Sequence, residues 1–309
     1  MHPQILLGSL SESSGKQRES KWLAVTLSFF DDPGADNVDM FGGKAASLAK
    51  LGSAGRIPPG FSLSVDEFKK WVENGSEEMP ADVTAEITQA YAALERICSV
   101  IDVPVAVRSS AVDEDGIGES FAGLHDTFLN VVGAEAVVEA VIKCWRSLGN
   151  EQAIEYRKNN GLEIDSAAMG VVVQQLVFAD VSAVAFSANP VNNSRDEVLI
   201  NANYGLGEAV VSGLTTPDSI VIDRNDLSQQ AVTIGAKETM TVRTEDGTAE
   251  KPVPRIMQGM AVLTEEQATE IAELVVNLEI HNGWPVDVEL AIHDSQLYLL
   301  QCRPITTLK

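Results

Sequence analysis

The segment Val288-Glu289-Leu290-Ala291-Ile292, followed after His293-Asp294-Ser295-Gln296 by Leu297-Tyr298-Leu299-Leu300-Gln301-Cys302-Arg303-Pro304-Ile305-Thr306, decides the fold. Two alternating apolar runs around a polar tetrapeptide predict a β-hairpin with Glu289, Gln301 and Arg303 on one face. A carboxylate and an amide oxygen are hard ligands of the kind Mg²⁺ accepts, and a guanidinium can fork onto a phosphoryl group. A solvated hairpin face would account for any one of these residues alone. Three on one face point to a site.

Working back from the hairpin, Thr264 to Glu279 reads as a helix, with Thr264 as cap and Gln267 three residues on completing a capping box. Ala231 to Pro254 is polar and punctuated by Gly and Pro, as in a surface hairpin. Glu197 to Ala202, Val181 to Ser187 and Val171 to Val177 are rich in Val, Ile and Phe and read as strands. These form a β-rich second lobe, residues 169–309. Asn203-Tyr204-Gly205-Leu206-Gly207-Glu208 lacks the strand-to-helix context and spacing of a dinucleotide fingerprint, which excludes a Rossmann site.

The first lobe, residues 21–168, mixes both element types. Trp22 to Phe30 and Val103 to Val107 read as strands, the latter ending at Arg108-Ser109-Ser110. Ala81 to Cys98 carries a helical apolar pattern, and Ala136 to Asn159 reads as one long helix or two, with Trp145 in the core. Ser64 and Glu67 have capping-box spacing. Phe41-Gly42-Gly43-Lys44 opens a helix of Ala, Leu and Lys. Backbone N–H groups there attract phosphate and a lysine behind them adds a cation, though Gly-Gly-Lys alone is a weak signal. Ala111 to Gly123 is an acidic, glycine-rich loop between a strand ending in arginine and a strand from Thr127 to Val131. Residues 1–20 read as a flexible leader.

The chain of 309 residues is 45% hydrophobic, enough for a substantial core. Its formal net charge of −23 argues against nucleic-acid backbones and anionic membranes as partners. No apolar run approaches the roughly 20 residues of a membrane helix. Cys98, Cys144 and Cys302 are odd in number and lack CxxC spacing, so neither a disulfide framework nor a zinc site is suggested, and the expected compartment is the reducing cytoplasm.

Taken together, the residues resemble a known family, the nucleotide-binding domain of the dikinases: phosphoenolpyruvate synthase, pyruvate phosphate dikinase and rifampin phosphotransferase. The resemblance runs in order through Gly42-Gly43-Lys44, Ile57-Pro58-Pro59-Gly60-Phe61, Val107-Arg108-Ser109-Ser110-Ala111, Ser120-Phe121-Ala122-Gly123, Val172-Val173-Gln174, Ala188-Asn189-Pro190-Val191, Gly205 to Gly213 and Leu299 to Thr306. It implies an α+β, two-lobed ATP-grasp fold with mainly antiparallel sheets and the nucleotide between the lobes. It also implies ATP and Mg²⁺ as cofactors. Lys44, Arg108 and Arg303 would be the phosphate-binding, catalytic cations, and Gly123 and Thr127 would sit on the loop that closes over the phosphates. Gln174 would lie near adenine and ribose, with Gln175 the neighbouring alternative. Glu289 and Gln301 would hold the metal, with Asp287 and Glu208 as lesser candidates.

Departures from the family pattern are confined to the closing loop. Gly116-Ile117-Gly118 stands in place of a usual proline, and Leu124-His125 in place of a Gln-containing pair, which predicts a more flexible loop. In full-length dikinases a swivelling domain carries a phosphate-accepting histidine. His2, His125, His281 and His293 lie in no such motif, and the chain is expected to end where the family's first domain ends.

The resemblance therefore implies an ATP-dependent phosphotransferase module. It would pass a phosphoryl group from MgATP to a histidine on a separate domain or chain, and onward to a small-molecule acceptor, with AMP formation. The alternative is a stand-alone ligase or kinase that forms an acyl phosphate and releases ADP. A nucleotide-sensing module without chemistry fits less well, because Lys44, Arg108, Glu289, Gln301 and Arg303 are all present.

Overall fold

The computed structural model describes residues 26–308 apart from 53, 76, 113–125, 160–167 and 246. The expected leader, Gly123 and most of the acidic loop lie outside the described residues. The order begins β1 (Leu27–Phe29), α1 (Val38–Phe41), α2 (Gly43–Lys50), β2 (Gly60–Leu63), α3 (Val65–Glu73), α4 (Ala81–Cys98), β3 (Val105–Ala111), β4 (Thr127–Val131), α5 (Ala134–Ser147), α6 (Glu151–Asn159) and β5 (Met169–Gln175). It continues with β6 (Val181–Phe186), β7 (Glu197–Tyr204), α7 (Glu208–Val211), β8 (Asp218–Asp223), β9 (Gln229–Thr233), β10 (Thr239–Thr244), β11 (Gly247–Pro252), α8 (Arg255–Gln258), α9 (Glu265–Asn282), β12 (Val286–His293) and β13 (Gln296–Pro304).

The first sheet has the order β1-β2-β5-β3-β4, with every neighbouring pair antiparallel. Side chains alternate across it. Phe61, Leu63, Val105, Val107, Val171 and Val173 point one way and form a core with Trp71, Ile87, Leu94, Val141 and Trp145 of α3, α4 and α5. Helix α4 buries Val83, Ile87, Ala90, Tyr91 and Leu94, the 3.6-residue spacing that predicts it, and stops at Ser99 in the left-handed region. Each such fully buried aliphatic side chain is worth about 1.5–3 kcal/mol. On the other face Val172 packs with Phe41, Ala45 and Leu48 of α1 and α2.

Two expectations are corrected here and one open alternative is decided. The lobe boundary between residues 168 and 169 places β5 in the second lobe, yet β5 pairs with both β2 and β3 in the middle of the first sheet. Its unbroken apolar run marks a strand buried on both faces, and composition alone does not say in which sheet. The Ser64–Glu67 capping box does not form: Ser64 caps α3 without a side-chain bond, and Glu67, 1% exposed, pairs instead with Lys70 Nζ at 2.6 Å. The helical stretch from residue 136 onward is two helices, separated around Leu148 to Asn150.

The second sheet is also antiparallel throughout, in the order β13-β12-β6-β7-β8-β9. Val181, Ala183, Ala185, Ile200, Ile220, Val286, Val288 and Leu290 pack on Ile271, Val275 and Leu278 of α9. That helix carries the expected capping box, in which Thr264 accepts from Gln267 N–H and the Gln267 side chain accepts from Thr264 N–H. The separate hairpin β10–β11 fits the polar, punctuated stretch seen in the sequence. It leans on the first sheet, where Asn130 Nδ2 donates to Thr244 O at 2.8 Å and Gly247 O at 3.0 Å. No described helix is long and apolar enough to cross a membrane.

The β12–β13 hairpin turns on Asp294 and Ser295 alone, with φ of 48° and 61°. Two positive φ values match the right-handed twist of the flanking strands but strain any residue with a Cβ. Ser295→Gly is therefore expected to raise unfolding stability by about 1 kcal/mol, read as a higher midpoint in denaturant at unchanged slope; a lower midpoint would contradict this account of the turn.

Candidate functional site

The face of the first sheet turned away from α3, α4 and α5, packed in part by α1 and α2, also presents polar residues. Because β3 pairs with β4 and β5, Arg108 stands beside Thr127 on one side and Val172 on the other, and Ala106 stands beside Gln174. All five side chains point away from the helical core. Thr127 is exposed, whereas Arg108 is 8% and Gln174 2% exposed. Beyond Ala106 the same face becomes apolar, with Leu176 and Leu206 buried against it and Leu129, Phe178 and Ala179 alongside.

On the second sheet, Glu289 is directly opposite Gln301, and Asp287 directly opposite Arg303. Both pairs lie on the face turned away from α9. The register shifts between Glu289 and Leu290, so Leu300 is an extra residue and its carbonyl leaves the ladder. Arg108 reaches across from the first sheet to this spot. Its Nη1 donates to Leu300 O at 3.0 Å, and its Nη2 meets both Glu289 Oε2, at 3.3 Å, and Gln301 Oε1. Arg303 Nε bonds Asp287 Oδ2 at 2.9 Å.

Asp287 Oδ1 is buried without a hydrogen-bond partner. Burial pushes the Asp287 carboxyl above the usual carboxylate range, Arg303 opposes the shift, and Glu289 adds to it. An under-coordinated carboxylate beside a second carboxylate and an amide oxygen is the hard-oxygen set a magnesium ion accepts, so the residues present fit that ion.

Helix α2 joins the halves. Ala45 N–H donates to Ser110 Oγ at 3.1 Å on β3, and Ser47 Oγ donates to Cys302 O at 2.6 Å on β13. Lys44 immediately precedes the first of these anchors. Gly42, at φ 81° and ψ 171°, occupies a region open essentially to glycine alone, and a Cβ on it would lie 1.9 Å from Ser110 O. The glycine before Lys44 is thus required by close backbone packing, whatever it does for an anion.

The structure brings Arg108, Glu289 and Gln301 into contact, sets Arg303 on the same hairpin face opposite Asp287, puts Thr127 and Gln174 on the same face as Arg108, and places Lys44 at the start of α2, next to Ala45, which bonds Ser110. Gln174 Nε2 donates to Pro58 O at 3.2 Å, and Gln175 belongs to the opposite face of the strand. Gly123 lies outside the described residues. Glu208 is apart from the hairpin ligands: it accepts from Thr248 at 3.1 Å, and burial raises its pKa. Sequence reasoning missed Ser110 and Ser47 as anchors of α2 and the Leu300 carbonyl as an acceptor. The two-residue offset of Ser110 from Arg108 was the available signal for the first. Another group of metal-type ligands, Asp180, His293 and Asp294, sits at the hairpin tip, where the carboxylates are 64% and 88% exposed and solvated.

Comparison with known proteins gives this geometry a family context. The family described as pyruvate phosphate dikinase, AMP/ATP-binding domain, matches residues 75–309. The probable phosphoenolpyruvate synthase of Methanocaldococcus jannaschii is 38% identical over 318 residues, covering 92% of this chain and 27% of that protein. Rifampicin phosphotransferase of Streptomyces sviceus is 35% identical over 302 residues, covering 88% of this chain and 35% of that protein. This chain spans well under half the length of either relative. The crystal structure of D-alanine–D-alanine ligase from Bacillus anthracis aligns over 86% of this chain and 57% of that one, with a TM-score of 0.37 and 7% identity, too loose a likeness to argue from.

Gly42→Ala tests the packing of α2 on β3. It is expected to lower stability by about 2 kcal/mol or more and to weaken nucleotide binding through displacement of Lys44, measured by denaturation and calorimetry; a variant of unchanged stability would refute the close approach to Ser110.

Proposed function

This chain belongs to the pyruvate phosphate dikinase AMP/ATP-binding domain family, and from that premise we propose that it binds MgATP between its two sheets and passes a phosphoryl group to a histidine carried by another domain or chain, with AMP formation. The observation that carries the reading is the crossing of Arg108 from β3 to Glu289 and Gln301 on the hairpin. A cation of the first sheet and oxygens of the second thus meet at one point.

Phosphoryl transfer asks little covalent chemistry of a protein and much positioning and charge stabilisation. Lys44, Arg108 and Arg303 would neutralise the triphosphate, with the Arg303 fork oriented by its Nε bond to Asp287. Glu289 and Gln301 would hold the magnesium ion, which supplies charge neutralisation on the phosphate oxygens. The apolar patch of Ala106, Leu129, Leu176 and Leu206, next to Gln174, offers a surface for a purine. Thr127, exposed at the start of β4, would approach the phosphates from the loop side. The small-molecule acceptor and the histidine-bearing partner would be served by the part of the relatives' length that this chain does not span.

Glu289→Ala and Arg303→Ala are each expected to weaken MgATP binding tenfold or more, about 1.4 kcal/mol, by titration calorimetry. The unmodified chain should bind ATP yet release little AMP until a histidine-bearing partner is added. Unchanged affinity in both variants would remove the site assignment, and ADP release at an ordinary enzymatic rate by the chain alone would favour a ligase instead.

A further inference from the structure

We propose that Arg108 closes the metal position until a nucleotide arrives, so that the divalent ion enters with the triphosphate and not before it. The inference rests on the reading of Glu289 and Gln301 as metal ligands, and it concerns how that same site is regulated. Its basis is that one nitrogen, Arg108 Nη2, contacts both ligand oxygens, Glu289 Oε2 at 3.3 Å and Gln301 Oε1 more closely. That nitrogen is a cationic donor standing where an ion shared by the two oxygens would stand. A metal ion could not join it there: the space is taken, and the guanidinium charge would repel a second cation at contact distance.

The seat is built to hold the arginine. Leu300 O, released from the ladder by the bulge, accepts from Nη1 at 3.0 Å, so three oxygens from two facing strands converge on one guanidinium. The side chain is only 10% exposed and Glu289 only 20%, which keeps the pair from being dissolved by solvent. A triphosphate is the ligand able to reverse this arrangement. It offers the guanidinium a doubly oxygenated fork of higher charge than one carboxylate and brings its own metal to the oxygens that Arg108 vacates. In a chain of net charge −23, an open carboxylate site would otherwise take up divalent ions without nucleotide.

The test uses Mn²⁺ as the probe, with free ion followed by electron paramagnetic resonance, on the full chain. Without nucleotide, Arg108→Gln is expected to bind Mn²⁺ at least tenfold more tightly than the unmodified protein and to gain more thermal stability from it, while losing ATP affinity. Glu289→Gln in the Arg108→Gln background should abolish that gain. Equal Mn²⁺ affinity with and without Arg108, or a gain that survives Glu289→Gln, would overturn the proposal. If Arg108→Gln does not fold, Arg108→Lys decides: a shorter side chain with one nitrogen cannot fill both the Nη1 and the Nη2 positions, so Mn²⁺ should bind at least threefold more tightly than to the unmodified protein, and unchanged affinity overturns the idea. The underlying reading fails separately, by absence of ATP binding to the unmodified chain.

Discussion

A buried guanidinium must find oxygen partners, and among the described residues Arg108 finds them by crossing from one sheet to the other. Removing such a charge from water costs several kcal/mol, which is recovered only if its partners are well placed. The hairpin therefore has to present Glu289, Gln301 and the Leu300 carbonyl at one spot, and that demands the bulge. Without the extra residue the Leu300 carbonyl would remain in the β12–β13 ladder. This satisfied cation is one of the bonds that join the two sheets, together with the anchoring of α2 to Ser110 on one side and to the Cys302 carbonyl on the other.

The same charges explain how an acidic protein can favour a polyanion. With 22 basic against 45 acidic residues, the exterior repels phosphates in general. Of those cations Arg108 is buried where the sheets meet, and Arg303 on the hairpin and Lys44 on α2 are partly exposed. Surface potential is screened beyond about 8 Å at physiological salt, whereas partly buried charges act locally at nearly full strength. Selectivity for a small, metal-escorted phosphate over nucleic acid then follows from where the cations sit, since their total number points the other way.

Much of this was legible in the sequence. Alternating apolar residues around a polar tetrapeptide revealed the hairpin, but an unbroken period of two would pair Glu289 with Leu300 and turn Gln301 and Arg303 to the other face; the extra residue at Leu300 brings them onto the face of Glu289. Helix α9 was visible from its cap, and α4 from its apolar spacing. What could not be read was pairing between distant strands. Residues 169–175 are apolar on both faces, so nothing local says that they complete the first sheet. Nor does spacing show that Arg108 bonds residues 181 and 193 positions away. Ser64 and Glu67 illustrate the opposite error: correct cap spacing yielded no box, because Lys70, three residues along the helix, engages the buried Glu67 carboxylate.

The connection between the sheets completes the argument. Strands β1 to β5 all precede β6 in the chain, so it passes from the first sheet to the second only once, through residues 176–180. The two ends of that crossing are tied to different sheets: Leu176 N–H donates to Pro104 O at 2.9 Å, and Asp180 N–H to Ile292 O at 2.9 Å. A five-residue link cannot by itself fix the angle between two sheets, so noncovalent contacts across the gap must do so. The most buried of those contacts are made by Arg108 and by α2, which also carries Lys44. Docking of the sheets and assembly of the site therefore share the bonds made by Arg108 and α2. A ligand that takes Arg108 away from Glu289 must therefore replace what held the sheets together, and a triphosphate with its metal, bonded to cations on one side and to oxygens on the other, has the charge pattern to do it.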